Sequence, residues 1–229
     1  MRFNFLFALA LIIISAVVVS AQDKAQITTE KINVFAIVSD EIYGITKDAS
    51  EVLFSEHELD TFTRRGFQVH CTLYMTQYPK NSLDKVAQKI ASIANKTKSF
   101  DITSSGLEQT ADNWLFVNIE RNSNLQTLCD LTVKTLASMR SKTKFVPDWA
   151  KSFPTKVEYI EKYGSPNVYS EFNPHLTLLA KSDASKLTAF IKNNTRFNSK
   201  VQGKVIAIGL GIADRDGQIE TPYKIFPLK

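Results

Sequence analysis

The sequence predicts an α+β fold of two similar lobes that face each other. Three observations carry this. The stretches Phe67-Gln68-Val69-His70-Cys71-Thr72-Leu73 and Phe172-Asn173-Pro174-His175-Leu176-Thr177-Leu178 both read His-x-Thr-Leu inside an apolar run. Each is followed by an amphipathic helical stripe and then by two strand-like segments. The chain has only three histidines, and two of them sit in this pattern. Beyond the motif the halves share no residue-level repeat, so the duplication is one of element order.

The chain has 229 residues, 44% of them hydrophobic, enough for one substantial domain or two small lobes. Met1 to Val19 is an apolar run after Arg2, and Val19-Ser20-Ala21 fits a small-residue cleavage site before Gln22. Residues 1–21 therefore read as a secretory signal peptide, with an uncleaved anchor as the alternative. The address is periplasmic or secreted, with no membrane attachment after cleavage. Residues 22–31 read as a polar leader, and the folded domain as 32–229. Cleavage removes one arginine and no acid, which lowers the formal charge of +5 by one. A mildly basic chain with scattered lysines suits a small anionic substrate and argues against a stable nucleic-acid complex. The chain is expected to be a monomer.

Ile32 to Ser39 is rich in β-branched residues and reads as a strand, and Asp40 to Phe54 as a helix. Ser55 to Arg65 reads as a charged loop with His57 on its surface. Phe67 to Tyr78 is the first His-Thr strand, ended by Pro79. Asn81-Ser82 caps a helix that carries Leu83, Val86, Ile90 and Ile93 at helical spacing. Phe100 to Gln109 and Asn113 to Glu120 read as paired strands. Asn122 to Met139 is a helix with Leu125, Leu128, Cys129, Thr132, Leu136 and Met139 on one stripe.

Lys142 to Asn173 is a long aromatic-rich connection with a short helix over 156–163. It serves as a lid or as a crossover between lobes. Pro174 to Ala180 is the second His-Thr strand, and Asp183 caps the next helix. Lys200 to Ala213 and Gln218 to Phe226 are strands joined at Asp216-Gly217. Cys71 and Cys129 are either a disulfide or two buried thiols. Asn95 and Asn193 head Asn-x-Thr glycosylation sequons.

In a strand, residues two apart share a face. His70 and Thr72 therefore point together, as do His175 and Thr177, with Cys71, Leu73, Leu176 and Leu178 opposite. Tyr74 continues the alternation onto the His-Thr side, where it is available to stack on a nucleobase, as are Trp149 and Tyr169. Packing between lobes is the competing role for all three. No cluster of metal-ligand spacing occurs, and no metal or cofactor is expected.

These motifs resemble those of the 2H phosphoesterase superfamily, which includes 2′-5′ RNA ligase-like proteins and cyclic phosphodiesterases. The resemblance rests on His70-Cys71-Thr72-Leu73, His175-Leu176-Thr177-Leu178 and the lead-in Phe172 to His175. It implies a bilobal α+β fold with two antiparallel sheets around a central cleft and helices on the outer faces. It implies metal-independent hydrolysis of a 2′,3′-cyclic phosphate or a short oligonucleotide phosphodiester. His70, Thr72, His175 and Thr177 would be the catalytic set, with the two imidazoles sharing acid and base duty. The residues leave open which His does which. A 2′-5′ ligase or 2′-5′ phosphodiesterase, and a non-catalytic nucleotide-binding protein, are the alternatives. An export signal is unexpected beside relatives that act on intracellular RNA.

Overall fold

The computed structural model describes residues 29–142 and 146–229. The predicted signal peptide, 1–21, and most of the polar leader lie outside the described residues. No helix among the described residues is long and apolar enough to cross a membrane.

Among the described residues, seven strands and five α-helices follow one another in this order: β1 Thr29–Val38, α1 Asp40–His57, β2 Cys71–Pro79, α2 Leu83–Ala94, β3 Phe100–Gln109, β4 Leu115–Ile119, α3 Ser123–Leu136, α4 Pro154–Tyr163, β5 His175–Leu179, α5 Ala184–Asn193, β6 Val201–Ile212 and β7 Lys224–Pro227. The strands are paired in the order β1-β2-β5-β4-β3-β6-β7, and β1 also pairs with β6. The first six strands thus close into a ring, with β7 added on β6. Every pairing is antiparallel.

The expectation of two separate sheets is corrected here: hydrogen bonding makes one sheet. The cause is the length of β6. Its first residues, Val201–Val205, pair with β3, and from Val205 onward its other edge pairs with β1. On the far side of the ring, β2 and β5 meet at a single register pair, Cys71 with Leu176. The ring therefore has one long seam and one short one, and the short one lies between the two His-Thr motifs.

The repeat is also larger than the sequence suggests. Each half runs strand, helix, His-Thr strand, helix, strand: β1-α1-β2-α2-β3, then β4-α3-α4-β5-α5-β6. The third strand of each half sits beside the first strand of the other, β3 on β4 and β6 on β1. This exchange locks the halves together.

Helices cover the outside. α3 packs on β2 and α2, while α1 and α5 pack on each other and on β6 and β3. Strand alternation explains the fit. In β4, Leu115, Val117 and Ile119 are buried toward the helices, while Phe116 and Asn118 on the other face are half-buried. Leu73, Ile90, Leu125, Val133, Leu187 and Phe190 have no accessible surface in the same core. Each such side chain contributes about 1.5–3 kcal/mol by leaving water.

Several boundaries differ from expectation for identifiable reasons. β1 begins at Thr29, so the leader's last residues are strand; they pair with Gln77 to Pro79 of β2. α1 runs on to His57, where Glu58 turns left-handed at φ 58°. His57 is not a loose surface residue: its ring meets Phe190 edge-on at 6.1 Å. Ser82 does not cap α2; its hydroxyl donates to the Pro79 carbonyl instead. Asp183 does cap α5, accepting from the N–H groups of Ser185 and Lys186.

The returning strand is shorter than expected. Only Lys224–Pro227 pairs with β6. Before it, Asp214 accepts from the N–H groups of Asp216 and Gln218, and Gly217 takes φ 81°. The segment from Asp214 folds inward, and Ile219 is fully buried against Phe35. Cys71 and Cys129 are buried free thiols, the second donating to the Leu73 carbonyl at 3.2 Å. Asn95 and Asn193 are both exposed at helix ends.

Candidate active site

The short seam brings the two motifs together. With Cys71 opposite Leu176 in an antiparallel pair, Thr72 lies opposite His175 and His70 opposite Thr177. Cys71 and Leu176 are each 1% exposed and face the helices. The two imidazoles and two hydroxyls share the opposite face, inside the ring.

Both histidines are held the same way. The Nδ1–H of His70 donates to the Gln68 carbonyl at 2.7 Å, and that of His175 to the Asn173 carbonyl at 2.9 Å. A carbonyl only accepts, so the proton is on Nδ1 and Nε2 is left for the cleft. Each anchoring carbonyl is braced. Gln68 N–H donates to Ile219 O, and Asn173 is tied to the Asn167 side chain by two hydrogen bonds.

Each ring also packs on a phenylalanine. Phe35 of β1 is the register partner of Thr72, and its ring lies 4.9 Å from His70. Phe116 of β4 is the register partner of Thr177, and it stacks on His175 at 3.9 Å and 16°. Beside each pair the strand register slips by one residue. The extra residue is Leu73 on β2 and Leu178 on β5, the last residue of each motif. The motif's leucine is thus a β-bulge in both halves, a feature that re-aims side chains beside a site.

The first bulge corrects the reading of Tyr74. Phe35 pairs with Thr72 but Val34 pairs with Tyr74, so Tyr74 lies on the face opposite to Thr72. It has no accessible surface, and its hydroxyl donates to the Tyr163 carbonyl. Tyr169 is also away from the motifs. It packs on Tyr163 at 4.6 Å, and its carbonyl accepts from Arg121 and Gln126. Trp149 is 49% exposed, on a short 3-10 turn, Asp148–Ser152, that packs beside α4. The connection through α4 and Tyr169 is therefore a crossover on the outer, helical side.

Other residues take the places beside the histidines. Asn33 of β1 is fully buried and reaches His70 and Thr72. Asn118 of β4 is the register partner of His175 and donates to the Glu108 carboxylate at 2.7 Å. Trp114 stands two residues from Phe116 on the same face, with ring centroids 6.3 Å apart. The signal for Phe35 and Phe116 was present, as one Phe in the strand that opens each half. Nothing local marks Asn33 or Asn118. Among the described residues no group of three or more His, Cys, Asp or Glu is placed to hold a metal ion.

Burial dominates the electrostatics. It pushes His70 down to about 4; the Gln68 carbonyl opposes this, a charged His175 adds to it, and Asp214 opposes it. Burial also lowers His175, against the Asn173 carbonyl and the Glu108 carboxylate. Folding stability must follow. The unfolded chain protonates His70 near pH 6.5, while the folded chain resists until about pH 4. His70's share of stability is full above about pH 6.5 and is lost as pH falls toward 4, on the order of 3 kcal/mol. Urea midpoints measured from pH 7.5 to 4 should fall less steeply in His70→Gln than in the native chain. An unchanged slope would mean that other groups drive the acid loss.

A family described as "Protein of unknown function (DUF1045)" matches residues 75–218, more than half of the chain. The match includes His175 and Thr177 and begins just after the first motif. No curated protein matches the sequence. Among solved structures, TT0787 of Thermus thermophilus is similar at 15% identity and a TM-score of 0.49, covering 86% of this chain and 97% of that one. E. coli LigT complexed with 3′-AMP is similar at 14% identity and 0.48, covering 88% and 98%. Kluyveromyces marxianus Usb1 is similar at 12% and 0.46, covering 87% and 98%.

Proposed function

The chain belongs to the family described as Protein of unknown function (DUF1045), part of the 2H phosphoesterase clan, and from that premise we propose that it is a metal-independent phosphodiesterase acting on a 2′,3′-cyclic phosphate or a short oligonucleotide. The observation that carries this reading is the pairing of Cys71 with Leu176, which sets two imidazoles and two motif threonines on one face.

The two halves differ around their histidines, and the difference divides the work. His70 is buried and kept neutral, with an amide N–H rather than a carboxylate at Nε2. It is the base. Burial lowers His175 as well, but the Asn173 carbonyl and the Glu108 carboxylate act in favour of its cation, and among the described residues no amide N–H stands at its Nε2. It is the acid. Water attacks phosphorus and gives its proton to His70 Nε2. The bond from phosphorus to the departing ribose oxygen breaks, and His175 Nε2–H protonates that oxygen. The products are a phosphate monoester and a free hydroxyl. Thr72 and Thr177 donate to the non-bridging oxygens, where charge is steadied through the transition state. Trp114 offers an aromatic surface for the substrate's base.

The test is a panel of 2′,3′-cyclic mononucleotides, cyclic-phosphate-ended RNA, 2′-5′ dinucleotides and cyclic dinucleotides, with the phosphate position identified in each product. A nucleoside monophosphate, a bell-shaped pH profile and no loss with EDTA are expected. A joined or split 2′-5′ oligomer would replace the reading with a 2′-5′ enzyme. Tight binding of a 3′-monophosphate with no turnover of any substrate would leave a binding protein.

A further inference from the structure

We propose that Asn33 is a positioning residue that sets the hydrogen-bonding state of the whole first motif, holding His70 as a neutral ring with its lone pair on Nε2 and turning the Thr72 hydroxyl into a donor toward the substrate phosphate. The inference rests on the phosphodiesterase reading for its catalytic consequence, but not for its geometry.

Asn33 lies on β1, fully buried, one strand over from the motif. Its side-chain nitrogen is near three acceptors: Thr72 Oγ1 at 3.0 Å, His70 Nε2 at 3.2 Å and the Gly217 carbonyl at 3.2 Å. Its Oδ1 is buried without a partner. Two of the three neighbours could donate or accept according to their state. Gly217 O can only accept, so it decides which end of the amide faces the motif. With the NH2 group turned inward, His70 Nε2 must carry a lone pair. Because Nδ1–H is already committed to the Gln68 carbonyl, the ring is neutral. Thr72 Oγ1 likewise accepts from Asn33, which leaves its own hydrogen to point into the cleft.

Two amide hydrogens serve three acceptors, so the bond to His70 is shared and long. An incoming water can take its place at Nε2, and the motif is oriented without being blocked. A protonated Nε2 would face an NH2 group, which favours return of the proton after each turnover. The charged groups that face His70 are His175 from β5 and Asp214 from the inward-folded segment before β7, and they act in opposite directions. The second half has no such device, since the Asn118 amide donates to Glu108. This asymmetry is what separates two otherwise matched motifs. It also gives the inward fold of that segment a purpose, because it carries the carbonyl that orients Asn33.

The deciding measurement is ¹⁵N NMR of the imidazoles across pH, in the full chain and in Asn33→Asp and Asn33→Leu, beside pH profiles of kcat. The native His70 should give the Nδ1–H tautomer. Its titration should move to higher pH, its midpoint falling at about tenfold lower proton concentration in Asn33→Leu, and lower still in Asn33→Asp, where a carboxylate faces Nε2. The acidic limb of kcat should move with it, and kcat should fall about 10- to 100-fold with KM little changed. An Nε2–H tautomer in the native chain, or a His70 titration unmoved in both variants, would overturn the proposal. The NMR readings need no substrate, so they judge Asn33 even if no cyclic phosphate is hydrolysed, an outcome that would count against the phosphodiesterase reading instead.

Discussion

Alanine at His70 or at His175 is expected to lower turnover of a 2′,3′-cyclic nucleotide by about 10² to 10⁴, the usual loss when a general acid or base is removed. Each ring has a proton fixed on Nδ1 by a carbonyl two residues upstream, so each has one nitrogen to give to the reaction. Neither ring is interchangeable with the other, because Asn33 stands by one and Glu108 acts on the other. The single variants should therefore show different residual pH profiles. His70→Ala removes the limb that needs a neutral base, and His175→Ala the limb that needs a proton donor. The double variant should be little worse than the poorer single one, since the groups act as a unit. Near-native turnover in either single variant would remove that histidine from the chemistry. The folded state of each variant is checked by its urea midpoint at pH 7.5, where removal of either ring costs its packing and its hydrogen bond to the upstream carbonyl.

The largest stability effect is expected at Tyr74. Its ring has no accessible surface, and its hydroxyl donates to the Tyr163 carbonyl beneath the crossover. Tyr74→Ala should cost about 3–5 kcal/mol, as aromatic truncations in a core do. For a chain of this size that is a fall of roughly 10 °C in Tm. Tyr74→Phe removes only the hydrogen bond and should cost about 1 kcal/mol. Neither change should alter KM in protein that remains folded. A KM effect of tenfold or more in Tyr74→Phe, with Tm unmoved, would restore the residue to the substrate side and contradict the placement of the bulge.

That placement explains how far the sequence could be read. Strand alternation is a local rule, and it holds for as long as the pairing stays in register. It put His70 with Thr72 and His175 with Thr177 correctly. The alternation is then interrupted at the bulged leucine of each motif, Leu73 and Leu178, and in the first strand this misplaced Tyr74. A bulge belongs to two strands, and its position depends on what the partner presents. Here the partner presents Phe35 and Phe116, each on a strand remote from its motif. The segment from Asp214 was misread for a related reason. Asp216-Gly217 is a good turn signal, and a strand is the usual sequel. The burial of Ile219 beside Phe35 and the bond from Asn33 to Gly217 draw the chain inward instead.

The amino-acid sequence by itself determined the elements, the two His-Thr pairs and the face each pair shares, because periodicity along a chain needs no knowledge of its neighbours. Only the tertiary structure decided that β6 is long enough to close the strands into one sheet, that the halves exchange their third strands, and that Asn33, Glu108 and the two phenylalanines come to stand around the imidazoles. Those outcomes depend on register between segments far apart in the chain, and register is settled by what packs across the seam.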